Sequence, residues 1–277
     1  MKKFSHQLQL LKLVRNAFIG IDAVMIVAYI AFEATINNRL QNPIVYQIIL
    51  FVSLLITVVY LLFYEWRYGD AERYLKDAQC QISDAGYYYT ARKQESPGGY
   101  ANAVREDMAS SGYRISDKVQ CGDLSFEYTG TKPFEFFYAA TFDTVGRKDI
   151  AAYMLAAADD LSRERLKQKG ECVVLFVCNT AEKGAIAVSK QFTRLQFSRR
   201  KAITVYPIIV ELSTRQVYFL GNKICRAQKM AVNYVLNCDL PLKPEYIGKE
   251  KLPFQNELAE KLASFDFKAF KDANKKG

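Results

Sequence analysis

Two apolar runs dominate the start of the chain. Ala17–Phe32 is apolar over 16 residues except at Asp22, and Ile44–Tyr64 holds no charge over 21 residues. At helical rise these runs span about 24 Å and about 32 Å, against a hydrocarbon core of about 30 Å. The pattern predicts two transmembrane helices, about residues 17–35 and 43–64, forming a hairpin. Its polar loop is Glu33–Asn42. No small-x-small site follows the first run and a second run comes at once, so the reading is an anchor and not a cleaved signal peptide.

Beyond residue 64 the periodicity changes. Glu65–Ile82 has a helical spacing, with Gly69 as its expected break from the span. Gly86–Ala91 reads as a strand, 94–99 as a loop and Tyr100–Ser110 as a helix. Tyr113–Val119, Leu124–Tyr128 and Phe134–Phe142 alternate as three strands, with turns expected at Cys121–Asp123 and Gly130–Pro133. Arg147–Lys169 is helical, capped by Thr144. Cys172–Cys178 is a continuous apolar run, the signature of a strand buried on both faces. Ala181–Leu195 reads as a helix and Ala202–Leu212 as a strand whose Pro207 implies an edge or a bulge. Gln216–Leu220 closes a hairpin, Lys223–Asn237 is helical, and Phe254–Phe270 is an amphipathic terminal helix. Three successive strands argue for antiparallel pairing, and the buried run after a helix argues for a parallel crossover. The fold expected for residues 65–277 is therefore α/β, a mixed sheet flanked by helices, set on the anchor of residues 1–64.

Charge adds an orientation. Residues 2–15 carry four Lys/Arg, the loop carries only Arg39, and Arg67, Arg73 and Lys76 follow the second run. The positive-inside rule puts both ends in the cytoplasm and the loop outside. Tyr60, Phe63, Tyr64, Trp66 and Tyr68 make an aromatic belt at the inner interface of a cell (inner or plasma) membrane. Six cysteines without a Cys-x-x-Cys pair read as reduced thiols, which suits the cytosol. Asp22 is the one ionisable residue inside a span. The expectation is that it turns toward the headgroups or pairs with Thr57 or Tyr60 of the second helix.

The net charge of +9 is uneven. Residues 65–162 hold 11 Lys/Arg against 16 Asp/Glu, and residues 163–230 hold 14 against 4. The basic part implies an anionic partner. Arg194, Arg199, Arg200 and Lys201 interleave with Phe192 and Phe197, a pattern compatible with nucleic acid. No nucleic-acid module accompanies it, and anionic inner-leaflet lipid beside the anchor accounts for the same residues. A protein partner or homo-oligomer is compatible with a tethered module of this kind.

Candidate chemistry is sparse. The only histidine is His6, so residues 65–277 contain no Ser-His-Asp triad, Cys-His dyad or His-ligated metal site. Thr180 and Lys183, between the buried strand and the next helix, are candidate anion ligands, with Thr180 as an ordinary helix cap the plainer role. Cys178 at that strand end is a candidate nucleophile lacking an activating imidazole. Ser189–Lys190 has the residue types of a Ser-Lys pair, but adjacent helix positions face apart.

The order helix, three strands, helix, strand is similar to the core of restriction-endonuclease-like nucleases. That resemblance implies a carboxylate on one strand and Glu-x-Lys or Asp-x-Lys on the next, holding Mg2+ and activating water. Asp123 and Glu135 are the counterparts expected here. Phe137 stands two residues after Glu135 and Thr129 two after Glu127, so the lysine has to come from elsewhere, with Lys132 the candidate. The function expected is a membrane-anchored cytosolic binding or regulatory module, needing no cofactor. A membrane-attached nuclease, or its inactive remnant, is the alternative.

Overall fold

A computed structural model describes residues 2–39, 43–93, 95–162, 170–198, 201–222 and 225–274. The chain forms two compact units, residues 1–79 with 258–277, and residues 80–257.

The first unit holds two long apolar helices, α1 (Lys2–Arg39) and α2 (Pro43–Ser83). Both outrun the expected spans. No glycine or proline lies between Gly20 and Pro43, so α1 continues through the polar residues to Arg39, and α2 passes through Gly69 without a break. Within them, Leu8–Ala31 and Ile44–Ser83 are long and apolar enough to cross a membrane. The helices run antiparallel. Tyr29 stacks on Tyr46, Phe18 meets Tyr60, and Lys12 pairs with Glu72 at 2.9 Å. Asp22 does not turn outward. It is 5 % exposed and accepts from Ser53 Oγ at 2.6 Å, one turn from the expected Thr57. Tyr60 donates instead to the Leu11 carbonyl at 3.1 Å, and Thr57 Oγ1 and Asp22 Oδ2 are buried without a partner. The terminal amphipathic segment is two helices, α7 (Pro253–Ala263) and α8 (Phe267–Asn274). Asp266 separates them because its Oδ1 accepts the Lys268 N–H at 2.8 Å and so starts a new helix.

The second unit is a mixed eight-stranded sheet between two layers of helices. Its strands are β1 (Tyr88–Tyr89), β2 (Arg114–Cys121), β3 (Leu124–Lys132), β4 (Glu135–Val145), β5 (Gly170–Ala181), β6 (Thr193–Gln196), β7 (Ala202–Glu211) and β8 (Gln216–Tyr218). The order is β1-β8-β7-β5-β4-β3-β2, with β6 on the outer edge of β7. β2, β3 and β4 form an antiparallel meander, and β4, β5 and β7 run parallel. Helix α3 (Pro97–Ser110) and the short α6 (Arg226–Met230), continued by a π-helical turn, cover one face. Helices α4 (Arg147–Asp160) and α5 (Lys183–Ser189) cover the other.

The buried run behaves as a central parallel strand must. Val173, Leu175 and Val177 face α3, Cys172, Val174, Phe176 and Cys178 face α4, and all seven are fully buried. Pro207 lies in β7 between the stretch that pairs with β6 and the stretch that pairs with β8. Its missing N–H therefore falls at a gap in the outer edge. Several boundaries differ from the sequence reading. The second meander turn is Pro133–Phe134, because Gly130 is inside β3, where an added Cβ would meet Met108 of α3 at 2.8 Å. Gly146, not Thr144, caps α4, with Asp149 Oδ2 accepting the Gly146 N–H at 2.8 Å. Helix α5 is capped by Glu182 and stops at Ser189, and the alternating Thr193–Gln196 becomes β6. The expected end of the fourth helix at residues 163–169, and Lys223, lie outside the described residues.

Candidate functional site

The meander does not stay paired along its length. β3 and β4 are bonded from Lys132–Glu135 to Tyr128–Ala139 and part beyond that point, while β2 stays paired with β3 to Cys121–Leu124. A kink marks the fork. Residues two apart on a strand share a face, yet Tyr128 packs toward α3 and Phe126 toward α4. Lys118, opposite Glu127, takes φ +48°, a left-handed conformation costly for a residue with a Cβ.

The fork opens two adjoining clefts beneath the first turn of α3. One of about 300 Å³ is lined by Pro97, Thr141, Asp143 and Asn179, and one of about 390 Å³ by Gly98, Asn102, Arg105, Asp117, Lys118 and Glu127, with Tyr128 behind them. This is the carboxyl end of the parallel strands, where open α/β sheets place ligands. Glu127 Oε1 accepts from Thr141 Oγ1 at 2.7 Å, and Asp143 Oδ1 accepts from Asn179 Nδ2 at 2.8 Å. Arg105 holds Asp117 through two bonds of 2.6 and 2.7 Å, which pulls the Asp117 carboxyl below its usual range. The Tyr128 hydroxyl is buried without a partner.

Several candidates stand apart. Asp123 lies in the β2–β3 turn at one end of β3, and Lys132 and Glu135 flank the turn at the other. Nine strand residues separate them, roughly 30 Å at strand rise. Glu135 accepts from the Tyr113 hydroxyl at 2.5 Å, and Lys132 donates to the Ser111 carbonyl at 2.8 Å. Those three residues form no site. The carboxylates that do approach each other's strands are Glu127 and Asp143. Two residues after Asp143 stands Val145, fully buried, where the nuclease pattern has lysine. Among the described residues, no group of three His, Cys, Asp or Glu is placed to hold a metal ion.

Thr180 lies exposed in β5 across from Thr144, and Lys183 is exposed at the start of α5. Neither lines the fork clefts. Arg194 lies on β6 and, with Glu171, Thr204 and Arg226, lines a separate cleft of about 250 Å³. Lys201 is exposed, and Arg199 and Arg200 lie outside the described residues. Cys178 is fully buried, and burial pushes its thiol up to about 12. In the folded chain Cys178 is therefore expected to resist iodoacetamide at about pH 8, where an unperturbed thiol reacts. Native-state labelling of Cys178 as fast as after unfolding would contradict this. Ser189 donates to the Ile186 carbonyl, and Lys190 is turned into the core, so the two form no pair.

Asp143, Asn102, Arg105, Asp117 and Lys118 carry no motif, so sequence reasoning passed over them. Strand parity is the one available signal: Thr141 and Asp143 continue the parity of Phe137 and Ala139 beyond the apolar stretch, which marks where a strand leaves the core. Comparison with protein-family models, curated proteins and solved structures yields no match to this chain.

Proposed function

We propose that the chain is a two-pass cell-membrane protein carrying a cytosolic binding or regulatory module. Its N- and C-terminal parts lie on the cytosolic side. The membrane assignment is supported by how the long helices treat their apolar side chains. Val24, Ile30, Phe51 and Leu62 are each 67–70 % exposed, an arrangement suited to lipid and not to water. The distribution of Lys and Arg supports the orientation. The exposed Arg194, Lys201 and Arg226 favour an anionic partner for the second unit.

The binding reading rests on one observation: at the fork, Glu127 and Asp143 are each held by a neutral donor, and Val145 occupies the position where a nuclease carries its lysine. Such a cleft recognises a ligand by accepting hydrogen bonds. Lys118 at the rim adds a donor beside Glu127, but no lysine stands two residues after Glu127 or Asp143, where the nuclease pattern places the group that activates water.

Two measurements on the reconstituted full-length chain test this. Incubation with plasmid DNA and with RNA, in Mg2+ or Mn2+, is expected to leave both intact. Cleavage that disappears in Asp143→Asn would replace the binding reading by the nuclease. Native mass spectrometry of chain purified from cells is expected to show a retained small molecule that is lost in Glu127→Gln/Asp143→Asn. Identical spectra for the two proteins would remove the fork as the binding site.

A further inference from the structure

Helix α8 packs against α2 just past the end of its uncharged run. Phe267 stacks on Tyr68 at 5.3 Å, Phe265 and Phe270 both meet Tyr74, at 5.9 and 5.2 Å, and Lys271 Nζ lies 4.9 Å from the Trp66 ring. The uncharged run ends at Tyr64. Trp66 to Tyr74 thus lie about 3 to 15 Å further along the helix axis. The polar layer flanking a hydrocarbon core is itself about 5–8 Å thick. If α2 spans as proposed, the contacts of α8 with Trp66 and Tyr68 lie at the headgroup level and its contact with Tyr74 lies just outside it. The chemistry of α8 suits that depth. One side carries Phe267 and Phe270. Lys268 and Lys271, followed in sequence by Lys275 and Lys276, outnumber the two acids Asp266 and Asp272. Trp66, beside it, is 74 % exposed, as an interfacial indole is.

We propose that α8 is an interfacial helix that binds anionic phospholipid headgroups and fastens the end of the chain to the membrane. The proposal rests on the two-pass reading and adds a lipid contact distinct from the basic surface of the second unit. Each lysine held near an anionic leaflet strengthens such a contact about fivefold.

Trp66 is the only tryptophan, which gives a clean test. The full-length chain is reconstituted into vesicles of phosphatidylcholine, with and without phosphatidylglycerol, both with acyl chains brominated near the headgroup. Trp66 of the parent reports on the anchor, and Phe270→Trp in a Trp66→Phe background reports on α8. Phe267→Trp serves if the first variant does not fold. Brominated lipid is expected to quench the indole in both proteins. Quenching at position 270 should deepen with phosphatidylglycerol, and Lys268→Glu/Lys271→Glu should abolish that deepening. If Trp66 is quenched but the indole introduced at position 270 is open to aqueous acrylamide and blind to bromolipid, the α8 proposal fails and the anchor stands. If neither is quenched, the two-pass reading itself fails. Equal quenching at position 270 with and without phosphatidylglycerol overturns the anionic preference.

Discussion

Replacing Lys190 by methionine is expected to destabilise the unit of residues 80–257 by about 3–5 kcal/mol, the usual cost of removing one partner of a buried ion pair. Lys190 and Asp84 side chains are both fully buried. The ammonium uses all three of its protons, on Asp84 Oδ2 at 2.8 Å, the Ala85 carbonyl at 2.8 Å and the Phe219 carbonyl at 2.7 Å. Asp84 Oδ1 accepts from the Tyr88 hydroxyl at 2.6 Å and the Gly221 N–H at 3.1 Å. The cluster joins the segment entering the sheet at β1 to the end of α5 and to the chain leaving β8. Methionine fills the space but takes the countercharge from Asp84 and the ammonium's hydrogen bonds from Asp84 Oδ2 and the Ala85 and Phe219 carbonyls. The buried thiols of Cys172 and Cys178 supply the readout. Their labelling in the full-length chain, followed against urea, should shift to much lower denaturant in Lys190→Met. An unshifted curve would mean that the pair contributes nothing net.

The same cluster sets a pH dependence. Burial lowers the Lys190 pKa and outweighs the opposing pull of Asp84. The unfolded chain, with a lysine near its ordinary value of about 10.4, then binds the proton more tightly than the folded one. This group's contribution to stability therefore rises as pH climbs from the folded value to the unfolded value. Asp84→Asn removes the charge that favours the ammonium. The folded value falls further, the loss at neutral pH is larger, and the recovery on the alkaline side begins earlier. Urea midpoints for wild type and Asp84→Asn, measured from about pH 7 to about pH 10, should converge as pH rises; parallel curves would rule this out.

Lys190 also shows where reading the sequence stops working. Placed on a helix beside Ser189 it is one more basic residue in a basic region. Only the chain reversal after α5, which the residues 181–195 do not announce, turns it inward to an aspartate 106 positions away. The fork has the same character. Strand parity and turn residues were enough to predict the meander, the parallel crossover and the doubly buried Cys172–Cys178 run, because those depend on local alternation and burial. The cleft depends on where two strands stop pairing, and that is decided by the kink at Lys118 and Glu127. Choosing Asp123 and Glu135 as counterparts of the nuclease carboxylates put the two acids at opposite ends of one strand. In antiparallel neighbours the first half of one strand faces the second half of the next, which brings Glu127 of β3 toward the end of β4 that carries Thr141 and Asp143. The long apolar helices were the most legible element, because a run without charge leaves few alternatives.

Phe176→Ala is expected to cost about 3–5 kcal/mol, and Phe126→Ala less. Both rings are essentially buried and belong to one aromatic chain. Phe176 lies 6.0 Å from Phe142 and 6.1 Å from Tyr153, and Phe126 lies 5.1 Å from Tyr153 and 4.9 Å from Tyr138. Their backbones differ. β5 is held on both sides by parallel partners along Phe176, so the walls of a cavity there cannot close. Phe126 precedes the point where β3 joins β4, and its strand is bonded on one side only. The loss on deleting a buried ring grows with the cavity that survives relaxation, so the freer strand recovers more. Urea midpoints read by Cys172 and Cys178 labelling decide between them. A larger loss for Phe126→Ala would mean that the fork is as rigid as the centre of the sheet. A rigid fork holds its cleft preformed, with Glu127 and Asp143 already in place for a ligand. A compliant one requires the ligand to order that strand on binding, which lowers its affinity by the cost of that ordering.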